Sequence, residues 1–323
     1  MYTTPIIIFV LFLLAFCGFA ISDLATAKRR KEVYRVKSSA TAYLMLLPAI
    51  ALAFLFIMLP ILYSLGYAFT DYWLLEPDKI NTTFDNFVNI FKEIFERGDI
   101  YRAIKNTAVF VIGVVPLQIG LALLLALFVN RPGVGSKIFK VCFFAPVVIS
   151  LSVTSFLWMQ ILAPGEGGLL NSFLGIFGVP PHDWLRDENT AMPCIILLSA
   201  WQGCGYQMLI FLSGLSNIRK DLYEAAALDG ANWWRRFWLV TWVGLRSTFV
   251  YVLITVFIGA CRILTQPMLM TGYMPHTVTL SYYMYFKGYS EKWVGYSSAV
   301  ALLMTIFIGG ITLIQRRIFR EEK

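Results

Sequence analysis

Few residues of this chain have the type and spacing that chemistry requires. His182 and His276 stand in different polar stretches, with no metal-ligand spacing around either. Cys17, Cys142, Cys194, Cys204 and Cys261 fall in apolar runs and form no C-x-x-C pair, so they read as small packing residues. Gly133-Val134-Gly135-Ser136-Lys137 has the glycines of a phosphate loop. It lacks a Gly-Lys-Ser/Thr and a preceding strand, so Lys137 reads as a charge in a short turn. Asn81-Thr82-Thr83 matches a glycosylation sequon, a triplet common by chance. No catalytic pair is visible, so the chain reads as a non-enzyme with no metal and no cofactor of its own. Two features remain: the run from Asp221 to Ala231, and Arg262 inside an apolar stretch.

The elements that carry these features belong to a membrane. Of 323 residues 58% are hydrophobic and 14% charged, against about 45–50% and 25% in soluble domains. That apolar fraction excludes a disordered chain, and five cysteines are too sparse for a secreted disulfide scaffold. A net charge of +8 would point to nucleic acid in a soluble protein; here it is spread over loops, and no nucleic-acid partner is expected. About 20 apolar residues cross a bilayer, and seven stretches qualify: 5–22, 42–63, 103–129, 139–162, 191–213, 247–270 and 294–315. The expected fold is therefore all-α and polytopic, with about seven transmembrane helices.

Lys and Arg orient the chain, because they are retained on the cytoplasmic side. With the N-terminus outside, about two thirds of the 27 basic residues fall in cytoplasmic segments, including Lys28–Lys31, Arg35, Lys37, Arg235, Arg236, Arg316 and Arg317. The N-terminus is expected outside and the C-terminus in the cytoplasm. Residues 5–22 also admit a signal-peptide reading, with Ala25-Thr26-Ala27 as a cleavage site. No basic residue precedes the run and the cluster Lys28–Lys31 follows it, which favours a retained anchor helix.

The segment between the fifth and sixth spans, 214–246, is unlike the other connections. Tyr223–Leu228 favours helix, since an alanine run loses little side-chain entropy, and Asp221 is placed to cap its start. Gly230 suits a left-handed residue at the helix end. Trp233-Trp234-Arg235-Arg236-Phe237-Trp238 is aromatic and basic, as in a helix lying in a membrane interface. Read alone, the segment is a short interfacial helix pair.

Its spacing says more. Glu224-Ala225-Ala226, then Gly230 after three residues, then Val240 after nine, resembles the Glu-Ala-Ala signature of permease subunits of binding-protein-dependent ATP-binding-cassette importers. Trp242 and Val243 replace that family's Leu and Pro, and Arg219 replaces the Pro that usually follows Ile218. The longer run Leu222–Ala231 is similar to the carbohydrate-importer branch, which includes the larger maltose permease subunit and glycerol-phosphate-type permeases. Ala42-Tyr43-Leu44 through Tyr63, Thr271-Gly272-Tyr273-Met274-Pro275 and Gly295-Tyr296-Ser297-Ser298-Ala299 resemble further family segments, so the likeness spans 42–318.

The resemblance implies a six-helix permease core, its first core helix and outer loop over 42–102 and the rest of the core, with the coupling loop 214–246, over 103–318. To these it adds an N-terminal anchor over 1–27, a basic linker over 28–41 and a tail over 319–323. It implies that Tyr223, Glu224, Ala225, Ala226, Asp229 and Gly230 form a coupling helix that docks on a separate ATPase dimer, which uses ATP and Mg. Further implied partners are a second, non-identical permease and an extracellular solute-binding protein. Aligned on Trp201 and the Asp221–Ala225 run, the substrate pathway falls at Ser199, Gln202, Gly203 and Tyr206, then at Val256, Gly259, Ala260 and Ile263. The second set is apolar or small where the maltose permease is Asn-rich, leaving Gln202, Tyr206, Gln207, Arg262 and Gln266 as polar candidates. Ser199, Gln202 and Tyr206 share one helix face. Arg262, about fifteen residues into its span, has two readings: a cation facing the pathway, or one that snorkels or pairs with a neighbouring subunit. The cargo expected from the branch is an oligosaccharide, with an acidic or phosphorylated sugar favoured by Arg262. An ion-coupled secondary transporter fits less well, because no Asp or Glu lies in the middle of a span and no repeat is found.

Overall fold

In the computed structural model the described residues are 12, 16–22, 33–76, 80–130 and 133–318. The expected N-terminal anchor, the basic cluster Lys28–Lys31, Arg131 and the tail 319–323 lie wholly or largely outside them. The described chain is helical apart from one isolated bridge, Thr70 to Thr82. Among the described residues five helical stretches are long and apolar enough to cross a membrane, and a sixth if one bent pair counts as a single span.

The described residues fall into two compact units. The first, within Met1–Asn86 and Trp293–Ala299, is built on α1 (Val33–Ala53), which continues through a π turn, Phe54–Met58, into α2 (Leu59–Tyr67). Pro60 explains the π turn, since it has no N–H for the carbonyl four residues back and the ladder must widen there. The chain after α2 is closed by polar contacts: Asn86 Nδ2 donates to the carbonyls of Ala68 at 3.2 Å and Thr70 at 2.7 Å. Asp71 accepts from Asn81 N at 2.6 Å and Asn81 Nδ2 at 3.0 Å. Those two bonds hold the Asp71 carboxyl below its ordinary range.

The second unit, within Phe87–Lys292 and Val300–Lys323, carries the remaining elements. They are α3 (Asp85–Phe95, which begins at the unit boundary), α4 (Asp99–Val129), α5 (Val134–Val148), α6 (Leu151–Ile161), α7 (Leu169–Gly175) and α8 (Ala191–Ser216). After these come α9 (Lys220–Leu228), α10 (Trp233–Arg236), α11 (Trp242–Cys261), α12 (Thr265–Met270), α13 (Leu280–Tyr285) and α14 (Val294–Ile318, whose residues up to Ala299 belong to the first unit). Helix α4 packs along α8, and α11 lies against both. Their shared core includes Phe110, Val114, Leu198, Phe211, Leu245 and Val252. Lipid tails are as apolar as these side chains, so close packing of small residues must drive the association. Gly203 and Gly205 supply it on α8: a Cβ at Gly205 would lie 2.2 Å from the carbonyl oxygen of Phe143 in α5.

Several expected bounds shift. The stretch 139–162 is not one straight helix but α5 and α6, bent by 98°. Ile149 and Ser150 are extended between them, three residues after Pro146, which interrupts the α5 ladder. The span expected over 247–270 begins at Trp233: α10, a π turn (Phe237–Thr241) and α11 form one continuous helical run, so Trp233–Trp238 is no separate interfacial helix. That helix stops at Cys261, and Arg262 occupies its C-cap as an exposed residue, still within the apolar stretch Trp233–Met270. A cation at that position complements the partial negative charge of the helix end. Lys105 is likewise exposed, in the second turn of α4, which starts at Asp99 rather than 103.

The connection from α6 to α8 is organised by one buried side chain. Asn171 Nδ2 faces the carbonyls of Ala163, Gly165 and His182 at 3.1, 3.1 and 2.9 Å. Its Oδ1 accepts from His182 N at 3.2 Å and Trp184 Nε1 at 2.8 Å. Asn171→Ala strands several buried polar groups at once and is expected to destabilise the protein by about 3 kcal/mol. A thermal melt of the detergent-solubilised variant that matches wild type would contradict this.

Candidate functional site

The segment between α8 and α10, Asn217–Asn232, is shorter than expected because both flanking helices extend into it. Helix α9 starts at Lys220 with Arg219 in the N-cap position. The expected cap does not form: Asp221 sits in the first turn, accepts from Leu222 N at 3.0 Å and pairs with Arg219. The other end follows the expectation. Gly230 is left-handed at φ +75°. Its N–H donates to Ala227 O at 3.1 Å and that of Ala231 to Ala226 O at 2.9 Å, the paired bonds that close a helix with a left-handed residue. Asn232 then caps α10, its Oδ1 accepting from Arg235 N at 2.9 Å.

Two side-chain contacts tie this turn to the next span. The hydroxyls of Tyr223 and Thr241 are 2.9 Å apart, and Arg236 Nε donates to Ala231 O at 2.8 Å. Tyr223 and Ala226 are half-buried on that inner side. Glu224, Ala225, Asp229 and Gly230 are exposed, and Leu228 is 89% exposed. The helix is thus clamped on one face and bare on the other, with Leu222 and Leu228 uncovered.

The residues aligned with the pathway are only partly brought together. Ser199 Oγ donates to Ile195 O at 2.7 Å and accepts from Gln266 Nε2 at 3.3 Å, which joins α8 to α12. Gln202 Nε2 donates to Ile149 O at 3.3 Å, satisfying a carbonyl freed by the α5–α6 bend, and lies 3.4 Å from Thr154 Oγ1. Gly203 abuts Gln118 of α4, whose Nε2 would meet a Cβ at 2.2 Å. Tyr206 is 51% exposed, although it shares the helix face of the buried Ser199 and Gln202. Ile263 is buried, whereas Gly259 and Arg262 are exposed. The carbonyl oxygens Oε1 of Gln202 and Gln207 are buried and accept no hydrogen bond among the described residues. Gln118, Thr154 and the Ile149 carbonyl were missed by sequence reasoning. Gln118 could have been found as a polar residue inside the apolar run 103–129; the other two depend on a bend with no sequence period.

With this geometry in hand, comparisons with known proteins place the chain. Residues 118–320 match the family described as "Binding-protein-dependent transport system inner membrane component". The chain is 31% identical over 288 residues to the "Probable ABC transporter permease protein YurN" of Bacillus subtilis (strain 168), covering 87% of this chain and 96% of that one. It is 34% identical over 222 residues to the "Arabinooligosaccharides transport system permease protein AraP" of the same organism, covering 68% and 71%. Its fold matches a chain of a bacterial alginate ABC transporter solved in complex with an alginate pentasaccharide-bound periplasmic protein. That match has a TM-score of 0.77 and 23% identity, over 90% of this chain and 99% of the other.

Proposed function

Because the chain belongs to the family of binding-protein-dependent transport system inner membrane components, we propose that it is the permease subunit of an ATP-driven importer that moves an oligosaccharide across the cell membrane. The exposed helix α9, clamped to the start of the next span, carries this reading. Tyr223, Glu224, Ala225, Ala226, Asp229 and Gly230 form the surface that receives a dimer of ATPase subunits. Glu224 and Asp229 offer carboxylates to basic groups of the partner, while Ala225 and Gly230 let its backbone approach.

The mechanical consequence follows from helix continuity. The Tyr223–Thr241 and Arg236–Ala231 bonds fix α9 to a run that is unbroken from Trp233 to Cys261. A displacement of α9 by the closing ATPase therefore moves that run as a lever, and its far end carries Gly259 and Arg262. A second, non-identical permease completes the pathway, and an extracellular solute-binding protein delivers the cargo. This orientation places the N-terminus outside and α9 in the cytoplasm, in accord with the distribution of Lys and Arg. The test is ATP-dependent uptake of labelled oligosaccharide into vesicles containing the whole complex. Uptake by this chain alone, driven by an ion gradient without the ATPase, would refute the proposal.

The cargo class rests on the arabinooligosaccharide and alginate systems of the similar proteins; of the aligned positions, Gly259 is exposed while Val256 and Ala260 are buried in the core. Ser199, Gln202, Gly203, Tyr206, Ile263 and Gln266 line the route in this reading. Arg262, exposed at the break after α11, has a guanidinium free to meet a sugar carboxylate bidentately. Arg262→Gln is expected to reduce uptake of an acidic oligosaccharide about tenfold, the worth of one charge-assisted hydrogen bond, and that of a neutral one by less than twofold. Equal losses for both cargoes would make Arg262 a structural residue.

A further inference from the structure

A cavity of about 480 Å³ lies behind α9, between the end of α4 and the start of α10. Part of its wall is apolar: Phe128, with Trp233 and Phe237 stacked at 6.2 Å. Its polar groups are Asn130, Arg236 and the Tyr223–Thr241 pair. The two hydroxyls satisfy each other, but Arg236 is half used. Its Nε is bound to Ala231 O, whereas its terminal amino groups make no hydrogen bond or ion pair among the described residues. The cavity sits where α4 and α8 end and the helical run from Trp233 begins, at one end of three candidate spans. The flanking Trp233, Trp234 and Arg235 are exposed, the aromatic and basic residues of an interfacial position.

We propose that this cavity binds a phosphate ester carried on an acyl chain, an anionic phospholipid of the adjoining leaflet. The guanidinium fork of Arg236 matches a phosphate in two directions, and Asn130 adds a neutral donor. Phe128, Trp233 and Phe237 offer the apolar wall that an acyl chain needs and a soluble phosphate ester does not. Tyr223 belongs to α9 and Thr241 to the following span, so a lipid lodged beside their hydrogen bond sets the stiffness of the turn that joins them. This assignment requires only that the chain spans a membrane and does not depend on the cargo or on the ATPase.

Native mass spectrometry of the purified full chain, with whatever subunits co-purify, tests it. Phosphatidylglycerol is expected to be retained at least fivefold over phosphatidylcholine, and Arg236→Gln to lower that retention roughly tenfold, the equivalent of one charge-assisted hydrogen bond. Arg236→Lys should keep most of the retention, because it preserves the charge. Asn130→Glu leaves the Arg236–Ala231 bond intact and puts a carboxylate in the cavity, so it should match Arg236→Gln. Equal retention of the two lipids, or no loss in both Arg236→Gln and Asn130→Glu, would overturn the proposal. Displacement of phosphatidylglycerol by equimolar glycerol 3-phosphate would overturn the lipid assignment.

Discussion

Gly205→Leu is expected to remove the folded protein from the membrane. The Cβ alone would lie 2.2 Å from the Phe143 carbonyl oxygen and 3.1 Å from the Phe144 Cα, so the obstruction is backbone on the facing helix. Backbone inside α5 cannot rotate away as a side chain does, and α5 must separate from α8 or tilt. Overpacking of a close-packed interior costs about 1–3 kcal/mol where side chains yield, and more where they cannot. Separation would also strip α8 of the close packing that drives helix association where lipid tails are as apolar as the side chains. Gly203→Ala provides the comparison. Its Cβ meets the flexible Gln118 amide, which can withdraw, and the variant should fold with lowered stability. Size-exclusion profiles of both variants in detergent distinguish them. A monodisperse, wild-type-like Gly205→Leu would mean that α5 and α8 are not in this register.

What the sequence revealed and what it hid divide along physical lines. Span positions were legible because about 20 apolar residues are needed wherever a helix crosses, regardless of its neighbours. The ends of 191–213 and 294–315 shift by only a few residues in α8 and α14. The α5–α6 bend was not legible, since both halves of 139–162 are apolar and hydropathy carries no direction. Pro146 was its one local mark, and proline occurs in straight membrane helices too. The helix break at Arg262 was hidden for a related reason: the apolar stretch runs from Trp233 to Met270, and hydropathy does not mark where the helix inside it stops. In α9 the spacing from Glu224 to Gly230 was readable, and so was the left-handed glycine. The Tyr223–Thr241 bond was not, because it joins residues on opposite sides of that turn and is set by tertiary packing.

Gly230→Trp is the substitution expected to have the largest functional effect, through two separable causes. At φ +75° any L side chain is strained, and a bulky one is a marked outlier, at roughly 1–2 kcal/mol. That strain falls on the bonds from Gly230 and Ala231 to Ala227 and Ala226 that end α9. The second cause lies outside the chain. Nothing stands within 4 Å of a Cβ at this position, so the indole would project from the surface proposed to meet the ATPase. Gly230→Asn separates the causes, because asparagine tolerates the left-handed region and adds little bulk. Gly230→Asn is expected to retain ATP-driven uptake within about threefold, since asparagine is the usual second choice at such helix ends. Gly230→Trp should lower uptake more than tenfold, which corresponds to a loss above about 1.4 kcal/mol. The insertion of the chain should be unchanged, because no buried contact of its own is touched. If a purified complex carrying Gly230→Trp still couples hydrolysis to transport as wild type does, α9 is not the coupling surface and the ATPase must engage this permease elsewhere.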